Sequence, residues 1–215
     1  MKLYSYYRSS AAYRVRIALA LKDIAYETVV VNLRDRSHLQ RHPDYLKVNP
    51  MGVVPSVIDG DNILTQSTAI LEYLEEQYPS PALLPSSAAA RARVRAIGQM
   101  IACDIHPLNN LRVLRYLKHT LGVADKARNQ WYCHWVTSGL AAVEALLQQD
   151  TPRGDFCFGD SPTLADVMLI PQVANARLLS CDLTAVPTVV RIDAHCRTLP
   201  AFQAAAPENQ PDYPG

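Results

Sequence analysis

The sequence predicts two domains of different class, a small α/β domain followed by a larger all-α domain. Three observations carry this. Residues 1–80 alternate short β-branched or aromatic runs with amphipathic stretches. Pro79–Ser87, "PSPALLPSS", then interrupts the chain with three prolines and three serines. Everything after it keeps helical periodicity. The expected division is 1–80, a linker over 81–87, and 88–215.

The elements follow in order. Leu3–Tyr7 is an apolar-aromatic run that reads as a strand. From Ala11 a helix is expected, with Val15, Ala18, Leu19 and Lys22 on one face. "YETVVVNL" (Tyr26–Leu33) is β-branched and bounded, hence a second strand. "RSHLQRHPDYLKVNP" is polar and irregular, with room for a short helix. "VVPSVIDGDNILTQS" reads as two strands around a turn at Asp59–Asn62. "STAILEYLEEQY" places Ile70, Leu71 and Leu74 on one helical face, with Ser67 or Thr68 as cap. Long helical stretches are expected over 87–120 and 125–150, and a shorter helix from "SPTLADVMLIPQVANARLL". There Asp166 follows Thr163 by three residues, the reciprocal spacing of a capping box, so that motif reads as stability rather than chemistry.

Composition narrows the function classes. Hydrophobic residues make up 49% and charged residues 19%, the balance of a globular protein. A formal net charge of +1 argues against a general nucleic-acid or membrane-surface binder. No apolar run approaches the roughly 20 residues that span a bilayer. The start lacks the pattern of a secretory signal, and a cytoplasmic location is expected. The five cysteines (Cys103, Cys133, Cys157, Cys181, Cys196) are scattered and never in C-x-x-C spacing. They read as reduced thiols, not as a disulfide frame or a metal site.

"RSS" (Arg8-Ser9-Ser10) at the first strand–helix join asks for explanation. One serine there is an ordinary cap for an unpaired N–H. A second serine and a preceding arginine are not, because arginine adds positive charge to a helix end that is already positive. A hydroxyl and a cation at such a place suit an anion. Gln66-Ser67 opens another helix, where an amide, a hydroxyl and exposed N–H groups form a carboxylate cradle. Without further context an N-cap and a surface glutamine would be the better explanation of that pair.

These segments resemble the cytosolic glutathione transferases, whose first domain is thioredoxin-like and whose second is helical. "VVP" (Val53-Val54-Pro55) looks like the family's cis-proline loop, "QST" (Gln66–Thr68) like its γ-glutamyl site, and "SPTLADVML" like its helix capping box. Within the family the chain is most similar to the zeta class. The class signature S-S-C-x-x-R-V-R-I-A-L reads "SSAAYRVRIAL" (Ser9–Leu19) here, and "NPMGVVP", "PLNNLRVL" and "PQVANARLL" extend the likeness over nearly the whole chain. Ala11 replaces the signature cysteine, which shifts catalytic weight to the serines.

The resemblance implies a homodimeric, glutathione-dependent cis–trans isomerase of a maleyl-type diketo acid, with maleylpyruvate or maleylacetoacetate as substrate. It implies catalysis by Ser9, Ser10 and Arg8, with Ser9 facing the glutathione sulfur. The implied glutathione contacts are Ser9, Ser10, Ala11, Gln40, Val54, Pro55, Gln66, Ser67, Asp104, His106 and Asn110. Arg8, Arg112 and Arg177 are the implied readers of substrate carboxylates, since a guanidinium makes a planar bidentate fork. Arg177 is one position off the related pattern "VANAER". Arg14 and Arg16, also in the signature, are expected to make structural ion pairs.

Overall fold

The computed structural model describes residues 1–33, 42–149 and 154–214. Its packing divides into two units, Met1–Leu83 with Arg197–Gly215, and Leu84–Cys196.

The first unit is built on a mixed sheet. β1 (Lys2–Ser5) pairs parallel with β2 (Glu27–Val30) and antiparallel with β3 (Ser56–Asp59), which pairs antiparallel with β4 (Asn62–Thr65), giving the order β2-β1-β3-β4. The parallel pair requires a crossover, and α1 (Ser10–Leu21) supplies it. β3 and β4 are joined by Gly60-Asp61, and Gly60 takes φ +57°, which glycine adopts without steric cost. α2 (Pro43–Val48) is the short helix expected in the polar segment, and α3 (Ser67–Gln77) follows β4. Val15, Ala18 and Leu19 of α1 are fully buried, as are Ile70 and Leu74 of α3, so the expected apolar faces do meet the core.

Lys22, at the end of α1, is buried and completely engaged. Its ammonium donates to Glu75 Oε2 at 2.9 Å, to the Tyr78 carbonyl at 2.6 Å and to the Pro81 carbonyl at 2.8 Å. Glu75 also accepts from the Leu83 N–H. Part of the Pro/Ser-rich segment is therefore pinned to the first unit, where composition alone suggested a linker.

The second unit contains α4 (Ala88–Gln99), a π-helical segment (Met100–Ile105), α5 (His106–Asn109), α6 (Leu111–His119), α7 (Asp125–Gln149), α8 (Leu164–Leu178) and α9 (Pro187–Cys196). The long helical stretch expected over 87–120 thus changes to π winding at Met100 and is interrupted at Asn110. Pro107 is tolerated because it falls in the first turn of α5, and Asn110 ends that turn in an extended conformation and caps α6. α7 crosses close to the π segment, since a Cβ on Gly139 would collide with the Ile105 side chain.

Two expectations are corrected by the packing. The tail 197–215, expected in the helical domain, groups with the first unit: α10 (Pro200–Ala205) lies on α1, and the Arg16 Nε donates to the Ala205 carbonyl at 2.9 Å. Cys133 and Cys181 form a disulfide, with Cα atoms 5.1 Å apart. A separation of 48 residues hides this pairing from the sequence, and only the approach of α7 to the end of α8 brings the two into bonding range. Cys157 and Cys196 are buried free thiols, pushed up chiefly by that burial, so they are poor nucleophiles.

Candidate active site

In the first unit the start of α1 is turned out of the sheet by a tight turn. β1 ends at Ser5, and the Ser9 N–H returns to the Tyr6 carbonyl at 2.9 Å. Ser9 caps α1: its Oγ accepts from the Ala12 N–H at 3.2 Å. That bond uses a lone pair of the hydroxyl, not its proton. Among the described residues the Ser9 hydroxyl proton has no acceptor, so it can be given to an anion at the helix start. Ser10 begins the helix and is buried. Arg8, half-buried, makes no hydrogen bond or ion pair among the described residues.

The start of α3 is shaped differently. Gln66 precedes it with φ +69°, in a region that costs a non-glycine residue about 1–3 kcal/mol, and no side chain caps the helix. Ser67, the first helical residue, is buried, and its Oγ accepts from Arg14 Nη1 at 3.2 Å. Arg14, itself 1% exposed, thus brings a cation to a helix N-terminus that no side chain caps among the described residues. Arg14 was expected to serve only structure; its place beside Ser67 adds it to the site. The signal was slight: Arg14 lies one turn after the serine pair on the same helix.

Val54 and Pro55 are joined by a cis bond, as the resemblance implied. The loop is braced from α2 and its C-cap: the Tyr45 hydroxyl and the Asn49 amide both donate to the Val53 carbonyl, at 2.6 and 2.7 Å. Val54 itself makes no backbone hydrogen bond among the described residues, which leaves its N–H and carbonyl for an extended ligand. Gln40 lies outside the described residues. Ala11 sits half-buried in the first turn of α1.

In the second unit His106 and Asn110 stand one turn apart, with Asn110 Nδ2 3.2 Å from His106 Nε2. Asn110 Oδ1 accepts from the Arg112 N–H at 3.0 Å. Asp104, in the π segment, and Arg112 are both exposed. Arg177 departs from expectation. Its Nε and Nη2 both donate to Asp193 Oδ2, at 3.2 and 2.8 Å, and the Asp193 side chain is only 2% exposed. The Nε–Nη2 edge of Arg177 is thus held by the protein's own carboxylate, while Nη1 makes no hydrogen bond among the described residues. Arg16 also departs: its guanidinium is held by the Tyr6, Tyr7 and Ala205 carbonyls and the Ser5 hydroxyl, not by a carboxylate, and burial pulls it down to about 10. Among the described residues no group of three or more His, Cys, Asp or Glu is placed to hold a metal ion. No helix among them is long and apolar enough to cross a membrane.

Residues 3–82 match the family model "Glutathione S-transferase, N-terminal domain" and residues 136–194 match "Glutathione S-transferase, C-terminal domain". The chain is 48% identical, with a TM-score of 0.95 and 99% coverage of both chains, to a solved maleyl pyruvate isomerase described as a bacterial zeta-class glutathione S-transferase. It belongs to the zeta class of the glutathione S-transferases. Curated relatives of this zeta-class chain carry two activities. A maleylpyruvate isomerase of Ralstonia sp is 49% identical over 212 residues, 99% of each chain. A probable maleylacetoacetate isomerase of Vibrio cholerae is 49% identical over 210 residues, 98% of this chain and 97% of the relative. A maleylacetoacetate isomerase of Methylobacterium extorquens, solved with bound malonate and glutathione, has a TM-score of 0.95 at 41% identity and full coverage of both chains.

Proposed function

We propose that this zeta-class transferase is a glutathione-dependent cis–trans isomerase that converts maleylpyruvate to fumarylpyruvate, with maleylacetoacetate as the alternative substrate. The observation that carries the reading is the open start of α1, where Ser9 caps the helix with a lone pair and keeps its proton for an anion. The side chains fit glutathione. Arg14, Ser67 and the start of α3 suit a γ-glutamyl carboxylate, with the Gln66 amide beside them. The unpaired backbone of Val54 suits the peptide of the tripeptide.

Bound glutathione supplies a thiolate whose reversible addition makes the substrate's cis double bond single and free to rotate. The chain's part is electrostatic. Ser9 donates to the sulfur, and the N-terminus of α1 adds its partial positive charge, so the anion is favoured over the thiol. Ser10 lines the same turn. Arg8, with no partner among the described residues, binds a substrate carboxylate. That the Methylobacterium extorquens relative was solved with both malonate and glutathione bound supports a dicarboxylate substrate for a glutathione-dependent site. Arg112 is the second arginine of this reading. Arg177 leaves it, because Asp193 already holds it.

The deciding experiment follows the absorbance of maleylpyruvate and of maleylacetoacetate, each with and without glutathione, while total glutathione is measured. The reading expects loss of the cis substrate only with glutathione, unchanged total glutathione, and faster turnover of maleylpyruvate. Consumption of glutathione would make the protein a conjugating transferase instead. Faster turnover of maleylacetoacetate would exchange the two substrates. The assembly in this reading is a homodimer, and sedimentation as a 23.8 kDa monomer would overturn that part.

A further inference from the structure

The turn that presents Ser9 is held from outside the domain that sequence would assign to it. β1 stops at Ser5, so the sheet offers the Tyr7 N–H no partner. The C-terminal tail does: Asp212 Oδ2 accepts from the Tyr7 N–H at 2.9 Å, across 205 residues of sequence. The Tyr213 ring meets the Tyr7 ring edge-on, with centroids 5.5 Å apart. On the other side of the same residue, the Tyr7 carbonyl accepts from Arg16 Nη2 at 3.1 Å. The Tyr6 carbonyl, which closes the turn onto Ser9, accepts from Arg16 Nη1 at 3.4 Å.

Tyr7 is therefore gripped by an anion at its N–H and a cation at its carbonyl. Each charge matches the backbone dipole it meets, and charge-assisted bonds of this kind are roughly twice as strong as neutral ones. The tail is itself braced. Arg16 Nε donates to the Ala205 carbonyl, Asn209 Nδ2 to the Gln203 carbonyl at 2.7 Å, and Gln210 Nε2 to the Ala206 carbonyl at 2.9 Å. Asp212 thus hangs from a fixed support, and what it fixes is the two residues before Ser9.

We propose that Asp212 is a positioning residue of the active site, acting through the Tyr7 N–H to orient the Arg8-Ser9 turn. The inference rests on the function proposed above, because it assumes that Ser9 faces a glutathione sulfur. A displacement of about 1 Å at a reacting group can cost on the order of 100-fold in rate. The substituents that hold the tripeptide, at α3 and Val54, do not touch Asp212, so rate and affinity should separate.

The test compares wild type, Asp212→Ala and Asp212→Asn for kcat, glutathione affinity, melting temperature and the thiolate absorbance of bound glutathione against pH. Asp212→Ala should lower kcat by about 10- to 100-fold, while glutathione Kd stays within about threefold. Its bound thiol should titrate closer to the free value of about 8.5. Asp212→Asn keeps an oxygen for the Tyr7 N–H and should restore kcat to within about threefold of wild type. A role in stability alone would lower the melting temperature and leave kcat and the thiol titration unmoved, and that result overturns the proposal. So does an Asp212→Asn variant as slow as Asp212→Ala, or an equal loss of affinity and rate. A wild-type protein that neither binds glutathione nor isomerises overturns the proposed function, and this assignment with it. A wild type that does both, beside an unimpaired Asp212→Ala, overturns this assignment alone.

Discussion

The starts of α8 and α1 are both capped by a hydroxyl residue, and they are completed in opposite ways. At α8 the Thr163 N–H and hydroxyl both donate to Asp166 Oδ2 at 2.8 Å, and the Cys157 N–H donates to Asp166 Oδ1 at 2.8 Å. Asp166 is fully buried, and the chain's own groups occupy both its oxygens. At α1 no acidic side chain enters the first turn, and the Ser9 proton has no acceptor among the described residues. The same local chemistry yields a closed joint in one unit and an open one in the other. A helix start completed by the protein is a stability element; one left short of an anion is a place for a ligand. α3 belongs with α1, since Gln66 precedes it in a strained conformation without capping it.

Breaking the closed joint should have the largest effect on folding. Asp166→Ala strands three buried donors, each worth about 1–3 kcal/mol, so a loss of about 3 kcal/mol or more is expected. At roughly 2–4 °C per kcal/mol for a chain of this size, the melting temperature should fall by about 6–12 °C. The isomerase rate of the protein that remains folded should be unchanged. If rate falls and stability does not, the two helix starts have been assigned the wrong way round.

Ser9→Ala attacks the open joint and should show the reverse balance. Loss of the cap costs about 1 kcal/mol of stability. Loss of a preorganised donor to a developing or bound anion costs on the order of 100-fold in kcat. Thermal melts and steady-state kinetics on one preparation check both. Damage from Ser10→Ala with a silent Ser9→Ala would move the site by one residue.

Arg8→Ala tests whether the open joint also reads charge. Truncating a charge-assisted pair costs about 1.5–3 kcal/mol, or about 10- to 150-fold in kcat/KM on a dicarboxylate. The loss should shrink on an uncharged cis-enone, and Lys at this position should restore activity only in part. Equal losses on both substrates would mean that Arg8 holds the turn rather than the substrate.

The smallest kinetic effect is expected at Arg177. Because its guanidinium serves Asp193, Arg177→Ala should leave kcat/KM within about threefold while lowering stability by about 1–3 kcal/mol. A 10-fold kinetic loss would return Arg177 to the substrate pocket.

Much of the site could be read along the chain because its parts are short and contiguous. Arg8-Ser9-Ser10 and Gln66-Ser67 each sit at a strand–helix join that β-branched runs and helical periodicity locate. Thr163 and Asp166 form their box within a single turn, so spacing alone identifies it. Ala11 could be seen as a departure only through the class signature. Arg14 was visible as a residue of the class signature, but not its choice of Ser67, 53 residues away. Neither the interruption at Asn110 nor the π winding before it was read in the stretch expected to be helical over 87–120, and no residue type demands that winding.

By itself the sequence determined the strand and helix order over residues 1–80, the helical character of the second unit, and the helix start at Ser9 that suits an anion. All of these are set by interactions within a few residues: backbone propensity, side-chain period and capping. Only the tertiary structure decided that Arg177 belongs to Asp193, that Cys133 joins Cys181, and that the tail from Arg197 onward packs with the first unit. Those outcomes join residues 16, 48 and up to 205 positions apart. Nothing local to Asp212 or Tyr7 points one to the other, and Tyr7 reads along the chain as the end of a strand. Their pairing accompanies the packing of α10 on α1, where the buried Arg16 donates to the Ala205 carbonyl.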